Sequence, residues 1–310
     1  MLILIVTKYS SNSTLLKTWL VILAAKDLEL EKFIKFVFNW SICFLTLVIL
    51  SYFFGITDNY IDIRLDGTYR SSMGFAHPNT FGYIVMIISL LRLYIIKDNI
   101  NFTNSIFLIP VIFIIDYFCN SRSAIIILIL FYIFLLAKGL TGFRIFENKI
   151  VKFIIRNSFF IFLFLTVFML FEYRNGTGLG LKLNDILSKR LYWINYFIND
   201  TGISLFGKPL QITTVKQAAL LNSNYSGVDN LYFFVMLNYG SIITVAIGFF
   251  FNRLFKKLYE EKNYIMIFIL FMLNIYALME TNILNISLNF YLIYFCKILY
   301  DSKKKVIKNE

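Results

Sequence analysis

Long apolar runs separated by short polar connectors make up most of the chain. The eight clearest runs lie at 34–56, 74–96, 105–119, 124–137, 157–171, 231–251, 264–279 and 286–300. A weaker ninth run lies at 14–25, and the first six residues, MLILIV, look like the end of a further helix. Since a straight membrane span needs about 20 residues, several runs must extend into their polar flanks. The pattern predicts an all-α, polytopic membrane protein: a bundle of about nine transmembrane helices, within a range of eight to ten.

Composition supports a helical membrane protein. The chain is 59% hydrophobic and 15% charged, whereas a soluble domain carries about 25% charged residues. The low proline count, three in all, favours helices over the alternating strands of a barrel. Cys43, Cys119 and Cys296 lie within apolar runs and lack metal-ligand spacing, so we expect small buried hydrophobic residues. Nucleotide-binding, hydrolase, zinc and calcium motifs are absent from the sequence, and no metal or other cofactor is expected.

Lysine and arginine collect in three places along the chain. They lie in the connector at 138–156, in the connector at 253–262 and in the tail at 303–305. Alternation of the spans puts all three on one side of a membrane, which the positive-inside rule makes the cytoplasmic side. The loops that then face outward are 57–73, 120–123, 172–230 and 280–285. The net charge of +12 is therefore interpreted as a topology signal, and no nucleic-acid partner is expected.

The loop at 172–230 is much longer than the others, and long loops are usually functional. With neither an internal repeat nor a linker in the sequence, we predict a single polytopic domain over 1–310 with this loop as part of the site. Within the loop, LNDILSKRLYWINYFIN predicts one amphipathic helix. Its apolar stripe consists of Leu183, Ile186, Leu187, Leu191, Ile194, Phe197 and Ile198.

Arg190 falls near the centre of that apolar stripe instead of on the polar face. A buried guanidinium is costly unless an anion meets it. The pattern therefore predicts either an anionic ligand or a carboxylate partner for Arg190. A purely structural ion pair is the alternative.

The stretch RSSMGFAHPNTFG begins a span at its outer end. Proline is favoured at the first helical position and displaces the preceding residue from helical geometry, so Pro78 should begin the helix and His77 should either cap it or lie just outside it. The bare N–H groups of such a first turn attract phosphate, and Arg70 lies just upstream in the same loop. The simpler alternative is an ordinary helix start with an interfacial histidine.

Three further polar positions lie at the outer ends of predicted spans. Arg122, between two serines, begins one span, although arginine at a membrane edge often extends to lipid headgroups. Asp229 and Asn230 begin another, where helix capping alone would explain them. Glu280 lies at the outer, C-terminal end of a helix, where a carboxylate opposes the helix dipole. It is either functional or a surface carboxylate without a role.

Four sequence motifs occur in an order that resembles a known family. They are GFAHPNTFG after an arginine, SRSA at the start of a later span, R…W…F…LFG in the long loop, and DNLY…YG at the start of the next span. Over about residues 55–290 this set resembles the Wzy-type polysaccharide polymerases, integral membrane glycosyltransferases related to the O-antigen ligases. Relatives usually have more N-terminal helices, so the resemblance predicts a short variant or a chain that lacks its start.

The resemblance implies an all-helical, GT-C-like membrane enzyme of the bacterial cytoplasmic membrane with its site on the outer face. Such enzymes join oligosaccharide repeat units carried on undecaprenyl diphosphate, without metal or nucleotide sugar. A flippase and a chain-length regulator are the implied partner proteins, with lipids around the chain. The implied diphosphate-binding residues are Arg70, Arg122 and Arg190. The implied substrate-binding residues are Asn79, Asp229, Asn230 and Tyr232.

The general base and the acceptor stay open. A neutral imidazole or a carboxylate could accept the proton of the acceptor hydroxyl, so His77 and Glu280 are the catalytic candidates. An O-antigen-ligase-like transferase, which passes the glycan to another acceptor, would share the same donor chemistry. A lipid-oligosaccharide flippase would need polar residues deep within its spans and no dominant outer loop. The sequence shows the opposite pattern.

Overall fold

The computed structural model describes residues 2–64, 67–214, 217–218 and 225–300. It is mostly helical, at 72%. The helices are α1 Leu2–Ser10, α2 Thr14–Ala24, α3 Leu30–Phe53, α4 Pro78–Ile95, α5 Phe102–Ser105, α6 Leu108–Cys119, α7 Arg122–Thr141, α8 Lys149–Arg156, α9 Ser158–Arg174, α10 Gly178–Ile186, α11 Arg190–Thr201, α12 Leu231–Asn238, α13 Ser241–Glu260 and α14 Tyr264–Tyr276. Two short antiparallel strands, β1 Ile61–Ile63 and β2 Tyr69–Ser71, form a hairpin before α4. A last apolar helix spans Phe290–Tyr300, and its first turns, Phe290–Phe295, are 3₁₀.

Among the described residues, four or five helices are long and apolar enough to cross a membrane, fewer than the nine that the sequence predicts. Four qualify individually: α3, α4, α7 and the continuous stretch Phe102–Cys119. A fifth would be the pair α8 and α9, which are bent by 71° at Asn157. In α3 only 11% of the most apolar window is buried within the protein. Such an apolar face is unfavourable in water, and a lipid environment would cover it.

The described helices group into two compact units. The first consists of 2–26, 152–262 and 273–300, and the second of 27–151 and 263–272. In the first, side chains of α9, α11 and α12 form a core around Leu191, Ile194 and Phe197. In the second, α4 is the most buried of the spanning-type helices. The predicted cytoplasmic tail, with Lys303, Lys304 and Lys305, lies outside the described residues.

The run 231–251, predicted as one span, is not one continuous helix, because α12 and α13 replace it. Gly240, between α12 and α13, has φ 89° and ψ 166°, a conformation open essentially to glycine alone. The backbone of the long loop fits into this break: Ser241 N–H donates to Ser204 O at 3.0 Å, and Lys208 N–H donates to Leu237 O at 3.1 Å. The loop thus satisfies backbone groups that the interrupted helix leaves unpaired.

Two motif glycines allow this close approach of the backbones. A Cβ on Gly207 would lie 2.0 Å from Asn238 O, and a Cβ on Gly240 would lie 2.3 Å from Leu205 O. Neither contact is possible for a side chain. The glycines of LFG and of YG therefore have a structural role in joining the loop to the broken helix.

We expect Gly240→Ala to destabilise the protein strongly, because the new Cβ meets backbone and the φ value is unsuitable. The cost should be about 3 kcal/mol or more, seen as a fall of about 5 °C or more in the thermal melting temperature in detergent. Gly139 in α7 is the matched control, because a Cβ there meets nothing within 4 Å. Equal melting temperatures for the two alanine variants would contradict this explanation of the break.

The single amphipathic helix predicted over 183–199 is also wrong. Instead, α10 ends at Ile186 and α11 begins at Arg190, with Ser188 and Lys189 between them in the left-handed region at φ 54° and 63°. The buried Asn184 stabilises this turn, since its Oδ1 accepts the N–H of Tyr192 at 3.0 Å. The apolar stripe holds within α11, where Leu191, Ile194 and Phe197 are buried as predicted. In α10 the prediction is right for Leu183, which packs against the same core, and wrong for Ile186, which is 74% exposed.

Candidate functional site

A largely buried ion pair in the first unit joins Arg190 to Glu280. Arg190 is the first residue of α11, and its side chain is 14% exposed; that of Glu280, just beyond the end of α14, is 10% exposed. Arg190 Nη2 lies 3.4 Å from Glu280 Oε1, and Arg190 Nη1 donates to Leu187 O at 3.0 Å. Of the partners predicted for Arg190, the structure shows the carboxylate, which a purely structural ion pair would also give.

This pair leaves the guanidinium incompletely satisfied. Charge-assisted N–H···O bonds are usually about 2.7–2.9 Å long, so the contact of 3.4 Å is a loose one. Arg190 Nε is buried and has no hydrogen-bond partner among the described residues. A guanidinium nitrogen without an acceptor is a costly feature inside a protein, and an anion with two oxygens could satisfy Nε and Nη2 together.

Tyr225 and Asp229 form a second pair, and the charges of Arg190 and Glu280 both act on Tyr225. The phenol of Tyr225 donates to Asp229 Oδ1 at 2.8 Å. Burial raises the pKa of Tyr225, and the charge of Asp229, its hydrogen bond and the charge of Glu280 raise it further, while Arg190 opposes them. The phenol therefore stays protonated at physiological pH and continues to donate.

Tyr225 was not among the residues predicted from the sequence. The signal that could have found it is the spacing Tyr-x-Gly-x-Asp. A Cβ on Gly227 would lie 2.5 Å from the Tyr225 hydroxyl, so a larger residue there would displace the phenol from its place beside Asp229. The four residues Arg190, Tyr225, Asp229 and Glu280 make up what we call the loop-end cluster.

Asn230 and Tyr232, predicted to bind substrate, are engaged in structural bonds. Asn230 caps α12, with its Oδ1 accepting from Phe233 N–H at 3.1 Å and its Nδ2 donating to Leu278 O at 3.1 Å. The Tyr232 hydroxyl donates to Asn274 O at 2.6 Å, and its side chain is 0% exposed. These bonds connect the start of α12 to α14 and to the residues just after it, and a sugar would have to displace them to reach either residue.

Arg70, in the second unit, is buried and fully engaged. Its Nε donates to Cys119 O at 2.8 Å, its Nη1 donates to Asp62 Oδ2 at 2.8 Å, and its Nη2 donates to Asn79 Oδ1. All three guanidinium nitrogens thus have protein acceptors. In this state Arg70 connects the β-hairpin, the start of α4 and the end of α6, and any phosphate would have to compete with Asp62.

His77 caps α4, and Pro78 is the first helical residue, as predicted. The Nδ1 atom of His77 accepts the N–H of Asn79 at 3.1 Å, and the imidazole stacks on Tyr60 with ring centroids 6.1 Å apart. An accepting Nδ1 carries no proton, so in the neutral ring the proton is on Nε2. In this tautomer His77 is a donor at Nε2 and cannot accept a proton there.

Two further arginines lie at or near the turn between α6 and α7 in the second unit. Arg64 donates from Nη1 to Asn120 Oδ1 at 2.6 Å and from Nη2 to Asn120 O at 3.0 Å. Arg122 is the first residue of α7 and is exposed. Gly82 of the HPN motif allows α4 to approach this turn, since a Cβ there would lie 2.5 Å from Ser121 Cβ. The HPN and SRS motifs therefore meet in the fold, and Arg64 is a neighbour that the sequence did not suggest.

Among the described residues, no group of three or more His, Cys, Asp or Glu side chains could hold a metal ion. No family model, no curated protein and no solved structure matches this chain. The function must be inferred from the residues and geometry of the chain itself.

Proposed function

We propose that the chain is a membrane glycosyltransferase that polymerises undecaprenyl-diphosphate-linked oligosaccharide repeat units. The reaction would take place at the outer face of the bacterial cytoplasmic membrane. Support comes from the ordered motifs that resemble the Wzy-type polymerases and from several apolar helices that could span a membrane. The observation that carries the proposal is the loose, buried Arg190–Glu280 pair.

That pair suits a lipid diphosphate because it can exchange partners. The unpartnered Nε and the weakly held Nη2 of Arg190 offer a planar fork to two phosphate oxygens. As the diphosphate binds, its charge takes the place of Glu280 beside Arg190. The carboxylate is then released for a second role.

The released carboxylate of Glu280 is the general base in this mechanism. The acceptor hydroxyl attacks the anomeric carbon of the donor glycan as its proton passes to Glu280. The bond from the anomeric carbon to the phosphate oxygen breaks, and the diphosphate leaves with that electron pair. Arg190 stabilises the charge that develops on the leaving group, which is where preorganised donors have their largest effect. The Tyr225 phenol orients Asp229 through their 2.8 Å hydrogen bond.

The residues of the second unit have a less direct part in this proposal. Arg70 is saturated by protein acceptors, and His77 is held as an Nε2 donor. Donation from Nε2 suits hydrogen bonding to a sugar or phosphate oxygen and does not suit a general base. We therefore place proton removal at Glu280 and keep a binding role for His77, Asn79 and Arg122.

Deletion of the gene tests the proposed activity directly. The null strain is expected to carry single repeat units in place of long polymer, and expression of the intact chain should restore the polymer ladder on a polysaccharide gel. Single units should also accumulate on undecaprenyl diphosphate. If the null strain instead makes full-length lipid-linked polymer that fails to reach a final acceptor, the activity is that of a ligase and the proposal is wrong.

A further inference from the structure

The outer face of α11 combines aromatic rings with amides in a regular pattern. Tyr192 and Tyr196 are 43% and 47% exposed, and they are four residues apart. Asn195 and Asn199 form a second pair with the same spacing. Residues four positions apart lie on the same side of a helix. The two tyrosines therefore form one row along α11, and the two asparagines form a neighbouring row. The opposite side of α11 is buried in the core.

Trp193 connects this face to the loop-end cluster. Its ring lies edge-on to Tyr192 at 5.0 Å, to Tyr196 at 5.8 Å and to Tyr225 at 6.0 Å between ring centroids. Edge-to-face contacts of this kind hold aromatic rings in defined orientations. Tyr225 in turn donates to Asp229, so the aromatic group is continuous with the proposed reaction site.

Arg174 holds the two amides in place. Its Nε donates to Asn195 Oδ1 at 2.6 Å, and its Nη2 donates to Asn199 Oδ1 at 2.9 Å. Because both amide oxygens face the guanidinium, their Nδ2 groups are directed away from it as hydrogen-bond donors. The result is a partly exposed surface of fixed rings bordered by fixed polar groups.

We propose that this face, formed by Tyr192, Asn195, Tyr196 and Asn199 with the half-buried Trp193 at its edge, binds the glycan part of the substrate. The C–H faces of a sugar ring are weakly positive and stack on aromatic faces, while its hydroxyls bind amides. The inference rests on the proposed function, which supplies a glycan at this side of the protein. The inference adds a subsite that holds the sugar rings next to the reacting end. Because α11 has 12 residues and is about 18 Å long, its face has room for several rings.

The alternative occupant is the lipid interface, where tyrosine and tryptophan also collect. An aromatic face directed at lipid has no use for two amides whose oxygens are fixed by a guanidinium and whose N–H groups are left to donate. The chain has three tryptophans, Trp19, Trp40 and Trp193, so the environment of each can be measured alone. Trp40 is 60% exposed on α3 and serves as the matched reference.

The first experiment compares two single-tryptophan proteins in nanodiscs, W19F/W40F and W19F/W193F. The probe is the oligosaccharide released by mild acid from the polysaccharide of the strain that encodes the chain. We expect a saturable change in Trp193 emission and no change in Trp40 emission. Brominated lipids should quench Trp40 and leave Trp193 unaffected. Quenching of Trp193 by brominated lipid without a response to oligosaccharide would overturn the glycan subsite.

The second experiment is kinetic and uses two exposed tyrosines. Tyr196→Ala is expected to raise KM for the lipid-linked repeat unit about tenfold while kcat changes less than about threefold. Tyr117→Ala, at a side chain that is 79% exposed near the end of α6, is the control and should change neither. If KM is unchanged in Tyr196→Ala while polymerisation still depends on Arg190, the glycan subsite is rejected and the proposed polymerase activity stands. Absence of polymerisation by the intact chain would reject the polymerase itself.

Discussion

Arg190→Lys is expected to reduce polymerisation by about 10²-fold or more, leaving mostly single repeat units on a polysaccharide gel. Lysine keeps the positive charge, but it presents a point charge where arginine presents a planar fork. The Nε atom of this fork has no acceptor among the described residues, and Nη2 is loosely held by Glu280. Lysine cannot bridge two phosphate oxygens from that position, so the loss should appear in kcat and in kcat/KM together.

The effect of Arg190→Lys must be separated from a loss of folding, because Arg190 also bonds to Leu187 O at the end of α10. Purified protein should therefore be compared by thermal melting as well as by turnover of lipid-linked repeat units. Lys182→Arg is the matched control, since Lys182 is an exposed cation on α10 and has no part in the cluster. Near-normal polymer from Arg190→Lys would show that a bidentate contact at this position is unnecessary.

Much of the helical layout could be predicted from the sequence, and the two failures have a common cause. Both the break at Gly240 and the turn at Ser188 and Lys189 lie within stretches whose apolar pattern suits a helix on either side. Hydrophobic periodicity records which residues are buried and does not record whether the backbone between them is continuous. At Gly240 the break depends on backbone groups of 204–208, which are distant in sequence.

The sequence could indicate individual residues of the candidate site, but it could not indicate which of them lie together in the fold. Arg190 was suspected because it interrupts an apolar stripe, and Glu280 because it opposes a helix dipole. Their pairing joins residues 90 positions apart, and no local pattern records it. The resemblance also named Arg70, whose acceptors Asp62, Asn79 and Cys119 O could not be foreseen. An arginine in a motif can be there to stabilise the fold instead of binding a ligand. The two roles differ in how many guanidinium nitrogens already have protein acceptors: all three in Arg70, but not Nε in Arg190 among the described residues.

Glu280→Gln is expected to lower kcat by about 10²- to 10⁴-fold, the usual range for removal of a general base. Binding of the lipid-linked repeat unit should be retained or tightened, because glutamine no longer competes with the diphosphate for Arg190. A purely structural ion pair predicts something different. Removal of one partner would then leave a buried charge unpaired, at a cost of about 3–5 kcal/mol, and activity would be lost in step with folded protein.

Three measurements separate these outcomes: the melting temperature, single-turnover kinetics and substrate binding by the Glu280→Gln protein. Folded protein that binds the lipid-linked unit and does not turn it over is the result that a general base requires. His77→Asn provides the contrast, because asparagine can still cap α4 while the Nε2 donor is lost. That variant should polymerise at a reduced and measurable rate. Normal turnover by Glu280→Gln would remove Glu280 from the chemistry, and the proton acceptor would then have to be sought at Asp229, the other carboxylate of the loop-end cluster.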